Sequence, residues 1–282
     1  MLDKTEFKSF KVVVLDDSTD GSKRLIAKYK FDIIYLKGAF NISRATNQGI
    51  RYAIKKYQPR YIIRMDNDVF VKDKAWLKKL IGEADKHDDL GIFGCKLVYP
   101  NNKIQHAGME LGLVPKNIGR GQIDKEQYNE IKEVEGTTGG LFGIKTYIIK
   151  KVGFFDENFS GLEDVDYAVR AHKNGFKILY IGVVKAFHIE GSTTTNSNVP
   201  SFKKRRFYQD QFCYIYYILK YYKTKILNAV IIAVLTAFIS VENKNGKRDL
   251  ANIRIKDKPM WRFIITCSAI INAYKLYKKQ TL

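Results

Sequence analysis

Short apolar runs alternate along this chain with segments whose apolar residues recur at helical spacing. Residues 11–15 (KVVVL), 33–36, 61–65 (YIIRM), 91–97 and 183–187 are nearly continuous apolar runs, the pattern of strands covered on both faces. Residues 22–29, 43–56 and 75–84 read as helices between them. Ala45, Ile50, Ala53 and Ile54 form the apolar face of the second, and Trp76, Leu77, Leu80 and Ile81 that of the third. This alternation predicts an α/β layer fold with a mostly parallel central sheet flanked by helices, over residues 1–200. Residues 113–135 break the pattern: they are polar, carry Pro115, Gly119 and Gly121, and show no sustained period, so they read as a long loop or lid. The following GTTGGLFG, residues 136–143, holds four glycines in eight positions. Such a run permits close backbone approach to a ligand, or marks turns and tight packing.

From Phe202 the character changes. Lys203, Lys204, Arg205 and Arg206 precede Tyr208, Phe212, Tyr214, Tyr216, Tyr217, Tyr221 and Tyr222, and residues 226–241 then run uncharged for 16 positions. A second apolar stretch covers residues 263–274. Both fall short of the ~20 residues that cross a bilayer upright. Their Lys, Arg and aromatic flanks suit helices lying in a membrane interface, with two helices packed on the domain as the competing reading. Charge sharpens this picture. The chain carries +20 over 282 residues, of which residues 201–282 hold 17 Lys or Arg against 4 Asp or Glu, a net of +13, leaving +7 for the rest. A basic, aromatic-rich helical extension over 201–282 is therefore expected to meet an anionic membrane surface. A nucleic-acid partner is not expected, because the aromatic and basic residues cluster with apolar runs rather than with base-stacking motifs. Three scattered cysteines, Cys95, Cys213 and Cys267, show neither a disulfide framework nor zinc spacing, and no secretory leader opens the chain. A cytoplasmic location, peripheral at the inner face of the cell membrane, is the expectation.

The candidate chemistry lies where apolar runs end. Asp16-Asp17 follow KVVVL, Asp66-Asn67-Asp68 follow YIIRM, Glu163-Asp164 open a helix, and His188 follows residues 183–187. Ligands of open α/β sheets bind at the carboxyl ends of strands. Asp66 and Asp68, at i and i+2 of an extended segment, point to one side with ~6.5–7 Å between Cα atoms, so both can reach one divalent ion that bridges diphosphate oxygens. A solvated Asp-Asn-Asp turn is the plainer account. The DDSTDGS segment, residues 16–22, offers a carboxylate to a base or ribose, or simply caps the next helix. Ser160 and Glu163 match an S-x-x-E capping box, which explains Glu163 structurally. Asp164 is left over from that box and suits a general base beside an acceptor hydroxyl. His188 joins the metal-compatible set, and His106 is a weaker candidate for acceptor contact. His87 and His172 read as surface residues.

In order, VVVLDDSTDGS, IIRMDNDVFV, GFFDENFSGLEDVDYAVRAHKNGFKI and FHIEGST resemble the inverting family-2 glycosyltransferases with a GT-A fold, over roughly residues 8–195. KLVYPNNKIQHAGMELG is similar to the rhamnosyltransferase-like bacterial and archaeal members. The resemblance implies that Asp17 holds the nucleotide base, and that Arg44 and Asp66 contact the nucleotide or its phosphates. It implies that Asp66 and Asp68 form the D-x-D motif binding Mn²⁺ or Mg²⁺, with Asp68 the more direct ligand, and that His188 completes the metal or diphosphate contacts. Asp164 becomes the catalytic base of a single in-line displacement that inverts the anomeric carbon, and Glu163 its acceptor-binding neighbour. The donor would be a UDP or dTDP sugar, and the acceptor a lipid-linked or cell-surface glycan. The family usually opens with a strand resembling VSIIIPTYN. Residues 1–8 look like the tail of the connection after it, so a missing first βα unit, an exposed sheet edge and weakened nucleotide affinity are expected. A catalytically impaired, membrane-associated scaffold is the alternative.

Overall fold

A computed structural model describes residues 2–18, 21–37, 41–189, 200–238 and 259–281. The chain forms two compact units. The first comprises Met1–Leu111, Pro115–Phe159 and Glu163–Glu190; the second comprises Gly112–Val114, Ser160–Leu162 and Gly191–Leu282.

In the first unit, β1 (Val13–Asp16) and β2 (Asp32–Tyr35) pair in parallel as a two-stranded sheet. A larger seven-stranded sheet runs β3 (Tyr61–Met65), β10 (Leu141–Lys145), β5 (Leu90–Val98), β11 (Lys177–His188), β4 (Val69–Val71), with β6 (Ile104–His106) added to β5 and β9 (Ile131–Glu133) to β11. This sheet is mixed, which corrects the expectation of a mostly parallel one. Only β5 and β11 run parallel, while β3–β10, β10–β5, β11–β4, β11–β9 and β5–β6 are antiparallel. The reason is connectivity. A parallel neighbour needs a crossover such as the one holding α4 (Ile149–Val152) and α5 (Glu163–Lys173) before β11. β10 instead enters from residues 113–135 and needs no helix. That segment is not structureless either: it contains β9 and β8 (Lys116–Asn117), the latter paired antiparallel with β7 (Met109–Glu110).

β5 is buried along its whole length, as its apolar sequence demands. Lys96 is the exception within it, fully buried and bonded through Nζ to Asp124 Oδ1 at 3.0 Å and Asn129 Oδ1 at 2.5 Å. Its register partner Lys185 on β11 reaches the other oxygen, Asp124 Oδ2, at 2.7 Å. One carboxylate from the long connection thus bridges two lysines on neighbouring strands. The β11 register slips between Ile181 and Lys185, leaving residues 182–184 as a bulge.

α1 (Ser22–Ile26) is short and buries nothing. α3 (Trp76–Ala84) buries Trp76, Leu77, Leu80, Ile81 and Ala84 on one face, as its periodicity predicts. α2 (Ile42–Tyr57) starts at Asn41, whose side chain accepts from Arg44 N–H at 2.8 Å. Beside buried Ala45 and Ile50 it turns polar groups inward. Asn47 donates to Phe155 O and accepts from Phe155 N–H, both at 2.9 Å, and Ser43 Oγ donates to Phe159 O at 2.7 Å. These bonds fix the stretch that leads into α5.

In the second unit, α6 (Pro200–Tyr221) buries Cys213, Ile215, Tyr216, Tyr217 and Ile218. Tyr217 OH donates to Gly112 O at 3.0 Å, and Ser160 N–H meets Cys213 Sγ at 3.4 Å. α7 (Ile226–Phe238) and α8 (Pro259–Thr281) complete it. Among the described residues no helix is long and apolar enough to cross a membrane.

Candidate active site

β3 runs into the Asp66-Asn67-Asp68 turn and β4 continues from it. The turn is held from three sides. Asp66 N–H donates to Gly140 O at 2.9 Å, Val69 N–H to Asp66 O at 3.2 Å, and Ile189 N–H to Asp68 O at 3.1 Å. β4 pairs with the end of β11 so that His188 faces Val69. The outcome is a cluster in which one ligand atom each from Asp66, Asp68 and His188 lies within 4.8 Å of the others. His188 Nε2 sits 3.0 Å from Asp68 Oδ1, with the histidine side chain 12% exposed. Two carboxylates and one imidazole make a donor set able to hold a divalent ion. Burial pushes the Asp66 carboxyl upward, against the lowering influence of Arg64 and His188.

Arg64, two residues before the turn, joins this cluster to the start of α5. Its Nη2 lies 3.3 Å from Asp66 Oδ1 and its Nη1 2.9 Å from Glu163 Oε1. Burial works against its charge, but Glu163 and Asp66 outweigh that and raise its pKa. Beyond Glu163 stands Asp164, whose Oδ2 accepts from Gly139 N–H at 2.7 Å and Oδ1 from Val165 N–H at 2.8 Å. Burial, then the negative charge of Glu163, pushes the Asp164 carboxyl up to about 6, with Arg64 and the two backbone donors holding it back. A carboxylate tuned close to neutrality is what a general base requires.

The capping box expected at Ser160 and Glu163 does not form. Glu163 is the first residue of α5 rather than its third, its carboxylate is engaged by Arg64, and the Ser160 N–H is taken by Cys213. The glycine run resolves into two roles. A Cβ at Gly139 would meet the Arg64 guanidinium at 3.0 Å, and one at Gly140 would meet His188 Nδ1 at 3.2 Å, so these two make room for side chains of the site. Gly143 serves packing, since a Cβ there would lie 2.2 Å from the Phe93 ring.

Asp17 is exposed after β1, while Asp16 is buried, with one carboxylate oxygen lacking a hydrogen-bond partner among the described residues. Thr19, Asp20 and the Glu190–Thr193 part of FHIEGST lie outside the described residues. The Arg44 side chain is 53% exposed and leans on Glu157 at 3.5 Å. His106 is fully buried, Nδ1 within 2.7 Å of Asn117 Oδ1, and burial pushes its imidazole down to about 4. That makes it a core residue rather than an acceptor contact. His172 meets Glu135 O at 2.8 Å. Sequence reasoning missed Arg64, although a cation inside the apolar run YIIRM is costly to bury without a purpose. It also missed Gln105, for which the local pattern carries no signal.

The mixed sheet gathers two carboxylates and an imidazole at strand ends, and its solved neighbours mark it as a GT-A-type fold. Residues 2–153 match the sequence model of glycosyl transferase family 2, and the chain belongs to that family. It is 23% identical over 158 residues to the O-antigen biosynthesis protein RfbC of Myxococcus xanthus, covering 53% of this chain and 12% of that protein. It is 24% identical over 199 residues to the amylovoran biosynthesis glycosyltransferase AmsB of Erwinia amylovora, covering 64% of this chain and 60% of AmsB. This chain therefore spans less than two thirds of either relative. Among solved structures, GalNAc-T7 with UDP, GalNAc and Mn²⁺ superposes with a TM-score of 0.55 at 14% identity, over 80% of this chain and 44% of that one. Mannosyltransferase PcManGT of Pyrobaculum calidifontis, in complex with GDP-Man and Mn²⁺, gives a TM-score of 0.52 at 14% identity, over 97% of this chain and 69% of that one. At such identities these likenesses speak to the fold.

Proposed function

We propose that this chain is an inverting, metal-assisted glycosyltransferase that moves a sugar from a nucleoside-diphosphate sugar to a hydroxyl of a lipid-linked or cell-surface glycan. The observation that carries this reading is the continuous line His188–Asp68–Asp66–Arg64–Glu163–Asp164, a metal-compatible cluster joined by a buried guanidinium to a carboxylate tuned for proton abstraction. Asp66, Asp68 and His188 would hold Mn²⁺ or Mg²⁺, which supplies charge stabilisation to a departing diphosphate. Arg64 adds a fixed positive charge next to that cluster and keeps Glu163 in place. Asp164 takes the proton of the acceptor hydroxyl as that oxygen attacks the anomeric carbon, and Gly139 and Val165 N–H hold its oxygens in position. Glu163 adjoins the acceptor.

Titration calorimetry with UDP, dTDP and GDP, with and without Mn²⁺, tests the donor side. Metal-dependent binding of one nucleotide is expected, and Asp68→Ala should weaken Mn²⁺ binding and remove the metal dependence together. Full metal-stimulated binding in Asp68→Ala would refute the assigned cluster. A second reading, a catalytically impaired scaffold, draws on exposed Asp17 and on Arg44 engaged by Glu157. Absence of binding for all three nucleotides would bring it forward.

The helical extension supports action at an anionic membrane surface. Leu227, Ile231 and Leu235 recur every fourth residue of α7 and are 69%, 50% and 52% exposed, on a helix with no charged residue. Sedimentation with vesicles containing anionic lipid should carry the protein down, and Ile231→Glu with Leu235→Glu should release it. Equal pelleting of the double variant would sink this assignment.

A further inference from the structure

We infer that Gln105 is a positioning residue that sets which nitrogen of His188 faces the carboxylate pair. The inference rests on the metal reading above. Gln105 is the middle residue of β6, is 4% exposed, and takes no part in the assigned chemistry. Its Oε1 lies 2.8 Å from His188 Nδ1, on the side of the ring opposite Asp68. A carbonyl-type oxygen at that nitrogen is an acceptor only, so Nδ1 carries a proton directed at Gln105. Nε2 then keeps its lone pair for a cation held jointly with Asp68, whose Oδ1 lies 3.0 Å away. A histidine that ligates a metal commonly needs such a partner on its other nitrogen, which fixes both tautomer and ring orientation.

Two features make the arrangement specific rather than incidental. The ring is confined on its Nδ1 side by Gly140, where a Cβ would come within 3.2 Å of that nitrogen and 3.4 Å of Cε1, so the ring sits close against the backbone there. β6 is itself held to β5, with His106 opposite Leu97 and Ile104 opposite Val98, and both its flanking residues are fully buried. Gln105 is thereby anchored in the backbone from both sides.

Mn²⁺ binding, followed by the electron paramagnetic resonance signal of the free ion, tests this on the intact chain, with the thermal midpoint measured alongside. Gln105→Leu, which keeps bulk and loses the acceptor, is expected to weaken Mn²⁺ about 10–100-fold, the usual effect of removing such a partner. Gln105→Glu restores an acceptor and is expected to bind within a fewfold of the parent. Unchanged affinity in Gln105→Leu overturns the inference. Equal loss in both variants overturns it too, because the side chain would then act by packing alone. A parent chain that binds no Mn²⁺ overturns the metal reading itself, and the role of Gln105 with it. The three results are distinct.

Discussion

Asp164→Asn should lower transfer by about 10²–10⁴-fold, the range that general bases contribute, while nucleotide affinity stays at the parent value. The amide keeps the shape of the side chain but can accept from only one of the Gly139 and Val165 N–H groups, so the thermal midpoint is to be measured alongside. Parallel loss of nucleotide binding would mean that Asp164 supports the fold of the site instead. The pH dependence follows from the raised carboxyl. Only the ionised form removes a proton, and it dominates above about 6, so kcat/KM should fall as pH drops through that value. Glu163→Gln removes the neighbouring charge that helps raise Asp164, so the acid limb should move to lower pH. A limb that stays in place, or moves upward, contradicts the assigned cause.

Asp124→Asn should cost about 3–5 kcal/mol of stability, the penalty for breaking a buried ion pair by removing one partner. Lys96 is the residue that suffers, since it is fully buried and would keep only Asn129 and a neutral amide, whereas Lys185, 36% exposed, can turn toward water. Denaturant unfolding of the single variant measures the cost. A second variant, Lys96→Met with Asp124→Leu, should recover most of it, because apolar replacement of a buried pair is often neutral. Burial works to raise the Asp124 carboxyl, but bonds from Lys185 and Lys96 outweigh it and hold it below the usual carboxylate range. Its stabilising contribution is therefore present above the unfolded value of about 3.9 and lost as pH falls through the lowered folded value. Loss of stability under 1 kcal/mol in Asp124→Asn would show that the lysines find other partners.

Much of this was readable from the chain because local pattern and local structure coincide. Residues 61–65 were expected as a strand and form β3 without change, and the apolar face of residues 75–84 is the buried face of α3. The direction of neighbouring strands was not readable. An apolar run has the same sequence whether its partner runs parallel or antiparallel, and the pairing of β10 with β3 and β5 is decided by connections far from all three. The capping box failed for a related reason. S-x-x-E fits the pattern at Ser160, but the helix begins at Glu163 itself, whose carboxylate is bonded to Arg64, distant in sequence. Asp66, Asp68 and His188 were legible because each ends an apolar run, and the structure brings them together. Arg44, placed by resemblance alone, lies half-exposed beside Glu157.

Gly140 bears on how this site can change over generations. Every replacement adds at least a Cβ, which here would sit 2.9 Å from Leu97 Cδ1 and 3.2 Å from the His188 nitrogen that Gln105 also addresses. Any single-base change that alters this glycine therefore presses on the imidazole. In a saturation library selected for transfer, position 140 should behave like a ligand residue, intolerant of alanine, although it offers nothing to bind. Such invariance would record the thickness of a missing methyl group rather than a chemical role.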